Sequence, residues 1–233
     1  LGASQIKLMA GGGVSSLYDQ LEDVQYFEDE LHAAVMAAED AGTYVMVHVY
    51  VPEAIRRAIR AGVKSIEHGQ LIDEPTMKLI AEKGVWLSMQ PFIGEGNNHY
   101  TNPVQQAKHE LVVQGTDRAY QLAKKYGVKL AWGTDLLFSP ANARNQNLNI
   151  EKMTRWFSNF EILKMITHDN AELLALSGRR NPYPGKLGVI EEGALADLIV
   201  VDGNALEDIK VLTDPGKNML LIMKDGKIYK NDL

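Results

Sequence analysis

An α/β fold built on a parallel sheet is what this sequence predicts, and three observations predict it. Five short apolar runs alternate with four helical stretches, a rhythm that calls for right-handed crossover connections. Gly42, Gly62 and Pro52 punctuate the junctions in the way helix ends require. Polar, chemistry-bearing residues recur at the carboxyl ends of the runs, where parallel α/β folds assemble their sites. A barrel and a doubly wound sheet both satisfy the pattern.

The elements follow in order. Residues 6–10 read as a strand running into Gly11-Gly12-Gly13. Residues 28–41 read as a helix, with Leu31, Val35 and Ala38 at core spacing and Gly42 as its stop. The β-rich run 44–50 follows, then a helix from Pro52 carrying Ile55, Ala58 and Ile59 and ending at Gly62. Residues 63–68 are a strand, 75–83 a helix and 85–89 a strand. The polar stretch 91–103 is too long for an ordinary connection and marks a candidate functional loop. Residues 111–126 are helical and 128–132 form the fifth strand.

Beyond Asn142 the rhythm changes. Segments 160–166 and 170–176 read as two short helices, with Asn159 or Ser158 as a cap. From Lys186 the chain is β-rich, with strands at 196–201 and 219–223, and an Asp225-Gly226 hairpin before 227–229. Residues 1–185 are thus expected to form the α/β body and 186–233 a small β module.

Composition narrows the function. At 45% hydrophobic and 23% charged, the 233 residues exclude wholesale disorder and collagen-like repeats. The chain contains no Cys, which excludes a thiolate zinc site and a Cys nucleophile. Any metal must be held by His, carboxylate or modified Lys. A net charge of -6 argues against non-specific binding to nucleic acid. No apolar run approaches the roughly 20 residues that span a bilayer. Nothing here separates cytoplasm from periplasm, and a homo-oligomer is compatible with every feature. The chain opens on Leu1 with a strand already under way at Ile6, so it reads as starting in mid-fold.

The strand-end residues are Lys7, His48 with Tyr50, Glu67 with His68, Gln90, and Thr134 with Asp135. A strand-end His is more often a hydrogen-bonded structural residue, Gly-Thr-Asp is a common turn, and Tyr50 reads equally well as an ordinary strand aromatic. Lys7 is the stranger case, because strands in parallel sheets are covered on both faces. A barrel interior is its natural destination. There its apolar neighbours Ile6 and Leu8 favour a neutral amine that can add carbon dioxide to become a carbamate. Two His and one Asp suit a borderline divalent metal. His32, His99, His109 and His168 read as structural or exposed.

Four ordered motifs resemble the metal-dependent amidohydrolase superfamily, in the branch related to prolidases and imidazolonepropionases. They are Ile6-Lys7-Leu8-Met9-Ala10 through Val14, Val47-His48-Val49-Tyr50, Ser65-Ile66-Glu67-His68-Gly69, and Gly133-Thr134-Asp135. The run from Gly193 to Val201 resembles that family's return to its β-sandwich. The resemblance implies strands four to eight of a (β/α)8 barrel followed by part of a small β-sandwich. It implies two divalent ions, zinc being the expected metal, with carboxylated Lys7 as their bridge. His48 and His68 would hold one ion, and Asp135 would contact the other and shuttle the proton. Tyr50 matches the dipeptidase-like branch, where a phenol binds the substrate carboxylate. The implied activity is hydrolysis of dipeptides or N-acyl amino acids, with a cyclic amide as the alternative substrate. The family's strand-one His-x-His pair has no counterpart here, so the chain reads as the C-terminal portion of a longer enzyme, or as an inactive fragment.

Overall fold

The computed structural model describes residues 2–94, 100–136 and 140–233, which fall into two compact units. The first comprises Leu1–Gly133 and Leu174–Pro182, the second Thr134–Leu173 and Tyr183–Leu233.

The first unit is a five-stranded parallel sheet with four long helices. Its strands are β1 (Ile6–Met9), β2 (Val45–Val49), β3 (Ser65–His68), β4 (Trp86–Met89) and β5 (Leu130–Trp132). The helices between them are α1 (Glu28–Asp40), α2 (Pro52–Arg60), α3 (Glu74–Lys83) and α4 (Pro103–Tyr126). The sheet order is β1-β2-β3-β4-β5, so each strand lies beside its predecessor in sequence. Consecutive helices pack likewise, α1 on α2, α2 on α3 and α3 on α4. A doubly wound sheet reverses its strand order at a switch point. This one does not, and it is one arc of a (β/α)8 barrel.

The in-register pairing gives the sheet two unlike faces. Lys7 pairs with Met46, His48 with Glu67, and Glu67 with Ser88, which lines polar residues along one face. Leu8, Val47, Ile66, Leu87 and Leu130 share the other. Apart from half-buried Leu8 they are buried, in a core with Ile55, Ala58, Met77 and Ile80 from the helices.

Capping chemistry sets the helix ends. The Asp73 carboxylate accepts from Thr76 N ahead of α3, and left-handed Gly84 (φ 64°) ends that helix. Asn102 accepts from the amides of Val104 and Gln105, and Pro103 fills the first position of α4. That helix therefore begins eight residues before the predicted start at 111, because Asn102-Pro103 is a start signal hidden inside a polar stretch.

The second unit holds short helices α5 (Pro140–Ala143), α6 (Leu148–Lys152) and α7 (Asn159–Lys164), the first four residues of α8 (Asn170–Ala175), and α9 (Pro215–Asn218). A π-helical turn at Met165–Asp169 joins α7 to α8, so the two predicted helices run on without a break. Ser158 caps α7 in a reciprocal box with Glu161. Strands β6 (Leu198–Val201), β7 (Met219–Lys224) and β8 (Lys227–Asn231) form an antiparallel meander. Its hairpin turns on Asp225 and Gly226, both at positive φ (48° and 73°).

Within the second unit, segment 134–173 bonds to the β-rich tail. Asn147 Nδ2 donates to the Leu212 carbonyl (2.9 Å), Asn159 Nδ2 to that of Leu206 (3.1 Å), and Lys210 pairs with Glu151 (3.0 Å). Within the first, Arg179 and Arg180 donate to the carbonyls of Asp40 and Ala41 at the end of α1. Among the described residues no helix is long and apolar enough to cross a membrane.

Gly115 shows how closely α4 approaches the loop after β3, since an added Cβ would fall 2.2 Å from the Gln70 carbonyl oxygen. Helix propensity alone makes Gly→Ala stabilising by about 1 kcal/mol. We expect Gly115→Ala to destabilise instead, by about 1–3 kcal/mol in urea unfolding, because backbone must move. A gain in stability would show that the approach is looser than described.

Candidate functional site

The site grows from the end of β2. His48 lies in that strand, and strand alternation returns Tyr50 to the same side two residues later. The buried His48 ring donates from Nε2 to the Gly12 carbonyl at 3.1 Å. Gly12 belongs to the loop after β1, which folds so tightly that an added Cβ there would lie 1.8 Å from the Gln20 carbonyl oxygen. Only glycine lets the loop present that carbonyl to the imidazole.

His68 ends β3. In register Val49 faces His68 while His48 faces Glu67, so the pleat by itself would point His68 to the opposite face from His48. The backbone at His68 is left-handed, with φ 81°. Such a conformation costs on the order of 1–3 kcal/mol in a residue with a Cβ. With it, the ring meets His48 edge-on, the centroids 4.5 Å apart. Tyr50 stacks on His68 and meets His48 at an edge, each at 5.1 Å. All three rings are buried.

Gln90 completes the group from the end of β4. Its Oε1 accepts from His68 Nδ1 at 2.7 Å, and its carbonyl accepts from Gln70 Nε2 at 3.4 Å. Nearby Glu67 is half-buried and accepts from Ser65 Oγ at 2.7 Å.

Burial governs the charge of the cluster. His68 is pushed down to about 3, by burial first, then by the repulsion of His48 and Lys7, against the hydrogen bond to Gln90. His48 is also lowered, again chiefly by burial, against its hydrogen bond to Gly12. Both rings are therefore neutral near pH 7. With protons on His48 Nε2 and His68 Nδ1, the lone pairs lie on His48 Nδ1 and His68 Nε2. Neutral imidazoles whose other nitrogen is held by a carbonyl or amide oxygen are the form that binds a borderline cation. The donor set fits a divalent metal.

The other sequence candidates lie differently. Lys7 is exposed on β1, whose partner among the described strands is β2, and Ile6 beside it is 37% exposed. Its ammonium still acts on both imidazoles by repulsion. Asp135, left-handed at φ 50° and exposed, belongs to the second unit. His109 packs against the rings of Phe92 and Tyr100, and His32 bonds the Ala61 carbonyl (3.2 Å). His99 lies outside the described residues. His168, Asp169 and Glu172 bring their ligand atoms within 4.8 Å, as neighbours on one helical turn do, and Asp169 also binds Lys164.

Lys108 is the residue that sequence reasoning missed. Its side chain is 5% exposed on α4, paired with Asp19 at 3.5 Å. Its ammonium donates to the carbonyls of Gly13 (3.1 Å), Ser16 (2.9 Å) and Asp19. It thereby holds the loop that carries Gly12. The signal that could have found it is the Asn102-Pro103 helix start, which turns Lys108 from a loop residue into a helical one facing the same core as Val112.

Comparison with known proteins gives a consistent picture. The model of the amidohydrolase family matches residues 2–229. Ochratoxinase from Aspergillus niger is 34% identical over 98% of this chain and 47% of its own length. The crystal structure of a prolidase complexed with N-methylphosphonate-L-proline superposes with a TM-score of 0.88 at 37% identity, over 99% of this chain and 55% of that one. That of a Xaa-Pro dipeptidase with bound methionine gives 0.84 at 32%, over 99% and 55%. The chain spans about half the length of these relatives.

A depressed imidazole makes the fold acid-sensitive. Unfolded chains take up a proton at His68 below about pH 6.5, while the folded state refuses it until about pH 3. Stability present above pH 6.5 is therefore lost as the pH falls through that window. Between pH 8 and pH 5 the wild type should lose about 2 kcal/mol more than His68→Asn, at 1.36 kcal/mol per pH unit. Equal pH slopes in chemical denaturation would sink this account.

Proposed function

The chain belongs to the amidohydrolase family, and from that premise we propose that it serves metal-dependent hydrolysis of amide bonds in dipeptides or N-acyl amino acids with a free carboxylate. The observation that carries the reading is the buried cluster of His48, Tyr50 and His68, with one lone pair left on each imidazole. Relatives named prolidase and Xaa-Pro dipeptidase support the substrate class.

His48 Nδ1, His68 Nε2, Lys7 as a carbamate and Asp135 would be the residues that hold the divalent ions, zinc suiting neutral imidazoles. When bound, the metal pair acidifies a water and polarises the scissile carbonyl. The Asp135 carboxylate takes the water proton as the new C–O bond forms, then gives it to the leaving nitrogen as the C–N bond breaks. Tyr50 orients the substrate by donating its phenol to the free carboxylate, its ring fixed by the stack on His68. Carbamylation of Lys7 needs a shielded neutral amine, so the reading requires the open side of β1 to be covered in the active assembly.

Zinc-loaded protein should hydrolyse Xaa-Pro dipeptides and N-acyl amino acids in preference to a cyclic hydantoin. The reverse preference would overturn the substrate assignment. Tyr50→Phe should raise KM for the carboxylate-bearing substrates about tenfold or more with little change in kcat, since a hydrogen bond to a charged group contributes roughly 1.5–3 kcal/mol. An unchanged KM would remove Tyr50 from carboxylate binding. Lys7→Ala should lose bound metal, by metal analysis, and nearly all turnover.

A further inference from the structure

Neither strand that carries an imidazole supplies the hydrogen bond that orients His68. The bond comes from Gln90, just past β4, whose Oε1 lies 2.7 Å from His68 Nδ1 with both side chains buried. We propose that Gln90 is a positioning residue that fixes the tautomer of His68 and, through it, the ability of His68 Nε2 to hold a metal ion. The inference rests on reading His48 and His68 as metal ligands.

An amide oxygen can only accept, so the hydrogen between the two atoms belongs to His68 Nδ1. In a neutral imidazole that leaves the lone pair on Nε2. The need for such a partner is unusually strong here. The left-handed backbone at His68 (φ 81°) takes its ring out of the pleat, so the register of β3 does not set the ring's direction. On its flanks the ring meets the aromatic surfaces of His48 and Tyr50, which leave open which nitrogen carries the proton. Gln90 is itself held in place. Its carbonyl accepts from Gln70 Nε2, and buried Gln70 is wedged against α4 where Gly115 leaves no room for a Cβ. A neutral amide also orients the ring without adding negative charge beside the ligand. Three adjacent strands thus contribute, β2 and β3 with imidazoles and β4 with the group that decides which face of one imidazole is basic.

The test is nitrogen-15 NMR of histidine side chains in the metal-free full chain near pH 7.5, paired with zinc affinity by chelator competition. Wild type should show His68 protonated on Nδ1. Gln90→Glu keeps the acceptor and should keep that tautomer, with zinc affinity within a few-fold. Gln90→Leu should shift the proton toward Nε2 and weaken zinc about 10–100-fold, the usual effect of losing such an outer partner. Protonation of wild-type His68 on Nε2 would overturn the proposal without any variant. So would a Gln90→Leu protein whose tautomer and zinc affinity both match wild type. If wild type shows the Nδ1 tautomer, and Gln90→Leu loses it, but no zinc binds, then the metal reading fails while Gln90 remains the residue that sets the ring.

Discussion

Parallel pairing of β2 with β3 sets His48 opposite Glu67 and Val49 opposite His68, and only the left-handed turn of the backbone at His68 lets the two imidazoles meet. The rest of the site follows from that one departure. Had β3 kept its pleat, His68 would have joined Ile66 among the apolar side chains against the helices. A neutral ring would have survived there, far less use as a ligand. A strained backbone at the end of an otherwise regular strand persists only where its surroundings over-determine it. Here the stack on Tyr50 and the bond to Gln90 do so.

Holding the rings neutral is the second requirement, and the fold meets it chiefly by burial. Among the described residues each ring is hydrogen-bonded to an uncharged oxygen, a backbone carbonyl for His48 and an amide for His68. A carboxylate at that distance would raise the imidazole pKa, whereas an amide orients the ring without adding charge. The charged groups that build the site act at one remove. Lys108 and Asp19 fold the loop that offers the Gly12 carbonyl, and the ammonium is satisfied by three carbonyls rather than directed at the rings. Its cation thus stabilises backbone geometry while its charge stays largely compensated.

Much of the fold was legible because it depends on local patterns. Alternating apolar strands and glycine-stopped helices placed all five strands of the first sheet, and Asp225-Gly226 placed the hairpin of the second. The start of α4 was misplaced because a helix N-terminus inside a polar stretch shows no apolar periodicity, only its cap and proline. Long-range bonds such as that of Asn147 to the Leu212 carbonyl were illegible for a different reason, since no local pattern announces them.

Residue identity and strand position determined by themselves that His48, Tyr50, His68 and Gln90 would stand at successive strand ends, because register in a parallel sheet follows from chain order. Tertiary structure alone decided which of them touch, which nitrogen of each imidazole stays free, and that Lys108 anchors the loop beneath His48. Those outcomes rest on a single dihedral at His68, on the lone-pair geometry of an amide and on the absence of a Cβ at Gly12 and Gly115, and none of these is a property of one residue apart from its neighbours in space.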